Sequence, residues 1–341
     1  MPNHFERAGW LMSKKITLLA GSSNLELAKE VSKFIGVPLT PISTKKFNDG
    51  ESYVHIEQSV RGSTVFVIQP TSPQVNDNLM ELLLIIDALK RASASEINAI
   101  IPYYGYSRQD RKTMPREPIS ARLVANLIEK AGADRVVTFD LHADQIQGFF
   151  DIPVDNLEVT SLFAEYILDH GYKDIIIVAP DVGGAKRARR LGRLLDAGIA
   201  IIDKRRPAHN EAEVLNIVGD VQGMHAIILD DIIDTAGTIS SAAKVLKERG
   251  AKAVSLFATH AVFSGPAHKR LDQPFIKEVV VTNSIVIPPE KMFSKLKVVS
   301  LSPILSETIN TIFEGRPMGV IFDKLAENVE AKKKHSDGRK R

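Results

Sequence analysis

The chain has 341 residues, 44% hydrophobic and 25% charged, the balance of a soluble globular protein long enough for two domains. It has no cysteine, which excludes disulfides, thiolate metal sites and a cysteine nucleophile, and no apolar run approaches the ~20 residues that span a bilayer. The net charge of +3 comes from the end of the chain, where residues 331–341 hold six Lys and Arg against one Asp, a local +5 that leaves the rest at −2; a nucleic-acid binder would spread basic residues over a folded face.

Residues 1–12 precede the first strand-like stretch, SKKITLLAG, and lack the apolar core and cleavage site of a secretion signal, so they read as an extension. Strand-like segments follow at 63–69 (STVFVIQ), 97–102, 135–139, 174–179, 199–202, 225–230 and 253–259. Helix-like segments fill the gaps. The strongest, 76–91, is apolar nearly all round, with Asn76 or Asp77 placed to cap it, and predicts burial against both a sheet and a second subunit. The alternation predicts α/β architecture with largely parallel sheets. A faint repeat supports two copies of one unit, since ALKRASASEINAIIPYYGYS (88–107) lies over VLKERGAKAVSLFATHAVFS (245–264) without gaps. A boundary is expected near 156–160, and the basic end at 326–341 reads as a solvated tail.

Several segments carry chemistry. The stretch 104–119, YGYSRQDRKTMPREPI, places Arg108, Arg111, Lys112 and Arg116 among acids and prolines, which suits a basic flap over polyphosphate. His142 falls just past one strand end and Asp181 just past the next, where parallel sheets bind ligands; the two could share a magnesium ion, although a lone histidine there is more often simply hydrogen-bonded. After another strand come Lys204, Arg205 and Arg206, with alternation putting Lys204 and Arg206 on one side. The sharpest signal is HAIILDDIIDTAGTISSAAKVLKERG. Its strand is expected to end in Asp230 and Asp231, followed by a loop of Asp234, Thr235, Ala236, Gly237 and Thr238 and then a helix. Small residues and a helix N-terminus suit a phosphate, while the acids can accept from sugar hydroxyls. No GK[ST] follows a glycine pair, so this is not a Walker loop.

ILDDIIDTAGT resembles the 5-phosphoribosyl-1-diphosphate motif of type I phosphoribosyltransferases. With KKFNDGE, RQDRK…REPI, DLHADQIQGFFDIPVDN, PDVGGAKRA and DKRR in that order, residues 13–325 resemble the class I ribose-phosphate pyrophosphokinases. The resemblance implies two tandem type I phosphoribosyltransferase-like domains. Residues 13–158 would form the ATP side and 159–325 the ribose 5-phosphate side, with the last helix packing on the first domain. It implies transfer of the β,γ-diphosphoryl group of MgATP to the C1 hydroxyl of ribose 5-phosphate, in support of nucleotide, NAD, histidine and tryptophan synthesis. Lys204 and Arg206 would be catalytic. Phe47, Asp49, Gly50, Glu51, Arg108 and Gln109 would bind ATP, with Phe47, Asp49 and Glu51 offered by a neighbouring subunit. Arg206, Asp230, Asp231, Asp234, Thr235, Ala236, Gly237 and Thr238 would bind ribose 5-phosphate. His142 and Asp181 would be associated with Mg2+, with a second free Mg2+ as a further cofactor. A cytoplasmic homohexamer controlled by ADP and inorganic phosphate is implied, without nucleic-acid or membrane partners. Thr113-Met114-Pro115 departs from the more charged flap centre of many relatives. The alternatives are a salvage phosphoribosyltransferase, a silent regulatory subunit of the synthase, and a nucleic-acid binder using the tail.

Overall fold

The computed structural model describes residues 15–205 and 214–338. The first of two compact units runs to Leu157 and takes in Ser302–Arg316; the second comprises Glu158–Leu301 and the chain from Pro317.

In the first unit β1 (Lys15–Ala20), α1 (Leu25–Ile35), β2 (Ile42–Lys46), β3 (Ser52–Ile56), β4 (Ser63–Ile68), α2 (Val75–Arg91), β5 (Glu96–Ile101), α3 (Ser120–Ala131), β6 (Arg135–Phe139) and β7 (Val154–Leu157) follow one another. Five strands form a parallel sheet in the order β1-β4-β5-β6-β7, and β2 and β3 form a separate antiparallel hairpin. Every residue of β4 is buried, which explains its unbroken STVFVI, since a parallel strand covered on both faces has no solvent side. Leu19, Val67, Leu82, Ile86 and Val136 belong to the core of this unit.

The helix expected from Asn76 begins at Val75, and neither Asn76 nor Asp77 caps it: Gln74 holds the cap position without a side-chain bond. Both candidates are used elsewhere. Asn76 accepts from the Tyr106 phenol, and Asp77 pairs with Lys46 at 2.5 Å. A tertiary partner has outcompeted the local cap in each case.

In the second unit come α4 (Thr160–Asp169), β8 (Ile175–Ala179), α5 (Ala185–Leu195), β9 (Gly198–Arg205), β10 (Val214–Val218), β11 (His225–Ile233), α6 (Gly237–Glu248), β12 (Ala253–Ala261), α7 (Ala267–Leu271), β13 (Glu278–Thr282) and β14 (Leu296–Val299). The sheet order is β10-β9-β8-β11-β12-β13-β14, with only β10 antiparallel. The succession β8-β11-β12-β13-β14 repeats β1-β4-β5-β6-β7. The gapless overlay in the sequence falls on equivalent pieces: β5 corresponds to the first six residues of β12. Val178, Ile228, Leu246, Leu256 and Val279 belong to the core of this unit.

The helix α8 (Ser302–Glu314) packs on α1 in the first unit, and α9 (Gly319–Gly338) packs on α4 and α5 in the second. The basic end read as a solvated tail is therefore helical as far as Gly338. Lys332 bridges Glu165 at 3.1 Å and Asp169 at 2.6 Å, and Lys333 bridges Asp196. A count of charge along the sequence could not show these acids from elsewhere in the chain. Among the described residues no helix is long and apolar enough to cross a membrane.

Candidate active site

Strand β11 does not stop at its acids. It pairs with β12 through Ile233↔Ala261, because Ile233 is buried in the core of the second unit and draws the strand three residues past Asp230. The loop that follows is fixed by bonds to its carbonyls. The Phe263 N–H donates to the Ile233 oxygen at 3.1 Å, the Ser264 N–H to that of Asp234 at 3.1 Å, and the Ser240 N–H to that of Ala236 at 3.1 Å. Arg270 Nη1 donates to the Thr235 oxygen at 2.9 Å. Four consecutive carbonyls are thus occupied by the protein. Ala236 turns the chain with left-handed dihedrals, φ 59° and ψ 9°, and α6 begins at Gly237 with no side chain capping it. The first-turn N–H groups have no carbonyl one turn earlier to bond. Together with the helix dipole they form a setting for an anion.

Asp230 and Asp231 sit on the same strand, immediately before this loop. Successive strand residues ordinarily face opposite ways, yet here both carboxylates are reached by one cation. Arg187 Nη1 lies 3.2 Å from Asp231 Oδ1 and 3.7 Å from Asp230 Oδ1, and the Asp231 N–H donates to Asp230 Oδ1 at 2.9 Å. Burial above all, and then the charge of Asp231, hold the Asp230 carboxyl well above the usual carboxylate range, while Arg187 opposes the shift. Arg187 reaches the acids from α5, whose Ala188, Leu191 and Gly192 are buried. A Cβ on Gly192 would come within 3.0 Å of the Ala197 carbonyl oxygen and 3.1 Å of Ile199, so glycine lets α5 lie close to β9. Sequence reasoning singled out neither Arg187 nor Arg270. Arg187 is one of four arginines in AKRARRLGRLL, and nothing local separates it from its neighbours.

Asp181 stands exposed in the loop after β8, where its Oδ1 accepts from the Gly184 N–H at 2.9 Å; the loop uses only that oxygen. His142 is exposed after β6 in the first unit. Lys204 lies in β9 opposite Leu215 of β10, and Arg206 falls outside the described residues. Among the described residues no three His, Asp or Glu side chains gather as a metal-binding group.

The remaining candidates belong to the first unit. Arg108 and Gln109 are exposed. Gln109 Oε1 accepts from Ser120 Oγ at 2.6 Å at the start of α3. The basic stretch is organised by its own carboxylate: Glu117 Oε2 accepts from the Thr113 N–H at 2.8 Å, the Thr113 hydroxyl at 2.7 Å and the Met114 N–H at 2.9 Å. These bonds hold the Glu117 carboxyl below its usual range. Phe47, Asp49, Gly50 and Glu51 form the exposed tip of the β2–β3 hairpin. The tip is closed by Phe47 N–H to Glu51 oxygen at 2.8 Å and Gly50 N–H to Phe47 oxygen at 2.9 Å, with Gly50 at φ 95°. The Phe47 ring meets Tyr53 edge-on at 5.9 Å, and Lys45 Nζ lies 5.4 Å from its centroid.

Comparison with known proteins bears on both units. Residues 16–132 match the family described as the N-terminal domain of ribose phosphate pyrophosphokinase, and residues 204–323 match the phosphoribosyl synthetase-associated domain. A ribose-phosphate pyrophosphokinase of Bacillus caldolyticus is 55% identical over 309 residues, covering 91% of this chain and 98% of its own. That of Fusobacterium nucleatum is 52% identical over 310 residues, covering 90% and 98%. The crystal structure of phosphoribosylpyrophosphate synthetase from Mycobacterium smegmatis matches with a TM-score of 0.84 at 45% identity, covering 89% of this chain and all of that one.

Proposed function

The chain belongs to the ribose-phosphate pyrophosphokinase family, and from that premise we propose that it transfers the β,γ-diphosphoryl group of MgATP to the C1 hydroxyl of ribose 5-phosphate, releasing AMP. The observation that carries this reading is the adjacency of an acid pair and an uncapped loop–helix turn at the end of one strand. The 5-phosphate would rest on the main-chain amides from Asp234 to Thr238, and the ribose hydroxyls would donate to Asp230 and Asp231. Gly237 supports it. A Cβ there would approach the protein no closer than 3.5 Å, at Arg270 Nη1. The fold itself therefore leaves open space beside the main chain there, which a bound phosphate would occupy.

The other residues take roles consistent with this chemistry. Phe47, half-exposed on the hairpin tip, would stack on adenine, with Asp49, Gly50 and Glu51 beside it, serving the site of a neighbouring copy. Arg108 and Gln109 would contact ATP, Gln109 through its amide donors. Phosphoryl-type transfer asks a protein mainly for alignment and charge stabilisation. Fixing two reactants in line can lower the barrier by about 7–11 kcal/mol. Lys204 and Arg206 would then meet the charge growing on the transferred group. His142 and Asp181 would supply protein donors to magnesium; few are needed when phosphate oxygens and water complete the shell. The cation neutralises phosphate charge when bound. A second free Mg2+, a homohexamer, control by ADP and inorganic phosphate, and a cytoplasmic setting belong to the same reading.

The test is to mix protein, Mg2+, ATP and ribose 5-phosphate and measure AMP. Release that requires both substrates is the expected result. No AMP, with neither compound protecting the protein from thermal unfolding, would refute the reading. A salvage phosphoribosyltransferase would instead consume the activated sugar with a nitrogenous base and leave ATP intact.

A further inference from the structure

The geometry points to Arg187 as a positioning residue of the sugar site, the cation that keeps Asp230 and Asp231 charged and aimed together so that both can accept from the ribose hydroxyls. The inference rests on the sugar-site reading above and assigns a role to a residue outside the loop motif.

Three observations carry it. Asp231 is buried and Asp230 partly so, its side chain 28% exposed, so water sustains the charge of the pair only in part. They are consecutive, so their charges repel at close range, and one of two buried acids in that position tends to hold a proton. Arg187 is the cation that reaches both, at 3.2 and 3.7 Å, with its own side chain only 19% exposed. A guanidinium suits this task because it stays protonated and presents several donors in one plane. Strand β8 brings Ile175–Ala179, all apolar, alongside β11. From β12 the register partner of Asp230 is Ala258, and His260, two residues on, shares its ring Nδ1 with Ser284 at 2.9 Å. Asp234, beyond the strand, adds negative charge. The direction of the Asp230 shift agrees: burial and Asp231 push it up and Arg187 pulls it down.

A protonated acid at this position would lose acceptor capacity just where two hydroxyls must donate. Removing Arg187 therefore acts on sugar use through protonation, and the effect depends on pH. With the opposing cation gone, the acids hold their proton to higher pH, and the acidic limb of kcat/KM for ribose 5-phosphate moves upward. The penalty should be largest at low pH and shrink as pH rises enough to ionise the pair unaided. Titration of the sugar's own phosphate is common to both enzymes and cancels in the comparison.

The experiment measures kcat/KM for each substrate from pH 6 to 9 in the full-length protein, Arg187→Gln and Arg187→Lys. At neutral pH the Gln variant should raise KM for ribose 5-phosphate about 10- to 100-fold, the size of losing a hydrogen bond to a charged group, with KM for ATP within about twofold. Its acidic limb should shift to higher pH, and Lys should recover part of both effects. A penalty equal at every pH, equal losses for ATP and sugar, or no recovery with Lys would overturn the inference and leave Arg187 a structural residue. If the Gln variant does not fold, Lys carries the comparison: a smaller shift in the same direction is expected, and an unshifted profile counts against the inference. Failure of the sugar-site reading looks different, because the unaltered protein itself would then not use ribose 5-phosphate.

Discussion

Arg270 Nη1 donates to the main-chain oxygen of Thr235 at 2.9 Å, tying the short helix α7 to the turn that opens α6. The Ser240 hydroxyl returns the contact by donating to the Arg270 carbonyl at 2.9 Å. The turn holding Ala236 in left-handed geometry, a conformation that costs a non-glycine residue roughly 1 kcal/mol, is thereby clamped from outside the motif.

Arg270→Met should loosen that clamp. The expected outcome is a rise of about 3- to 10-fold in KM for ribose 5-phosphate, the worth of one ordinary hydrogen bond, with KM for ATP unchanged. Steady-state kinetics with each substrate varied in turn measures it. A matched rise for ATP would mean that the arginine does not act through the turn.

Gly237→Ala separates folding from binding. The protein leaves room for the added carbon, so the melting temperature should move by no more than about 2–4 °C, the equivalent of ~1 kcal/mol or less in a chain of this size. KM for ribose 5-phosphate should rise more than about tenfold as the side chain enters the space of the phosphate. A large thermal loss would show that the glycine serves the fold.

Lys204→Ala should lower kcat by about 10²–10³-fold, comparable to losing one preorganised donor, with both KM values little changed. Rapid-quench measurement of AMP formation checks it. Unchanged turnover would remove Lys204 from the chemistry.

His225 predicts a pH dependence of stability far from the site. Its ring stacks on Tyr172 at 4.6 Å and Nε2 faces Ser255 Oγ at 2.8 Å. Burial first, then the charge of Lys277, lowers its pKa from 6.5 to about 4, while Glu278 opposes and Lys252 assists. The unfolded chain takes up the proton near pH 6.5 and the folded chain only near 4. Unfolding therefore binds a proton between those values, and stability falls as pH drops through that window, by about 1–3 kcal/mol in all. Below about pH 4 this group contributes no further loss. Melting temperatures from pH 7.5 to 4 should show the slope, and His225→Gln should flatten it. An unchanged slope in the variant would assign the effect to other groups.

The parts of this molecule that were legible beforehand are those in which one residue's neighbours in sequence are also its partners in space. The apolar run of β4 and the DDIIDTAGT turn are local in this sense, and the repeat emerged because β5 and β12 occupy equivalent places in two sheets of the same order. What escaped depends on distant partners. Arg187 lies 44 residues from Asp231 and Arg270 lies 35 from Thr235, so neither pairing leaves a periodic trace. Asn76 failed as a cap for the same reason, since Tyr106 claims it across 30 residues. The continuation of β11 past its acids was missed because Ile232 and Ile233 read as part of a loop until a neighbouring strand accepts them.

The clasp of α9 onto α4 and α5 changes how the end of this chain can be manipulated. Cutting after Glu330 would remove not only surplus positive charge but also Lys332 and Lys333, which are bonded to Glu165, Asp169 and Asp196. Such a truncation would strip the second unit of a brace, so any change in polyanion affinity would be mixed with a change in rigidity. Reversing the charge of exposed Lys334, with the helix left whole, isolates the electrostatic contribution, and an affinity tag is better joined beyond residue 338 than spliced in place of the helix.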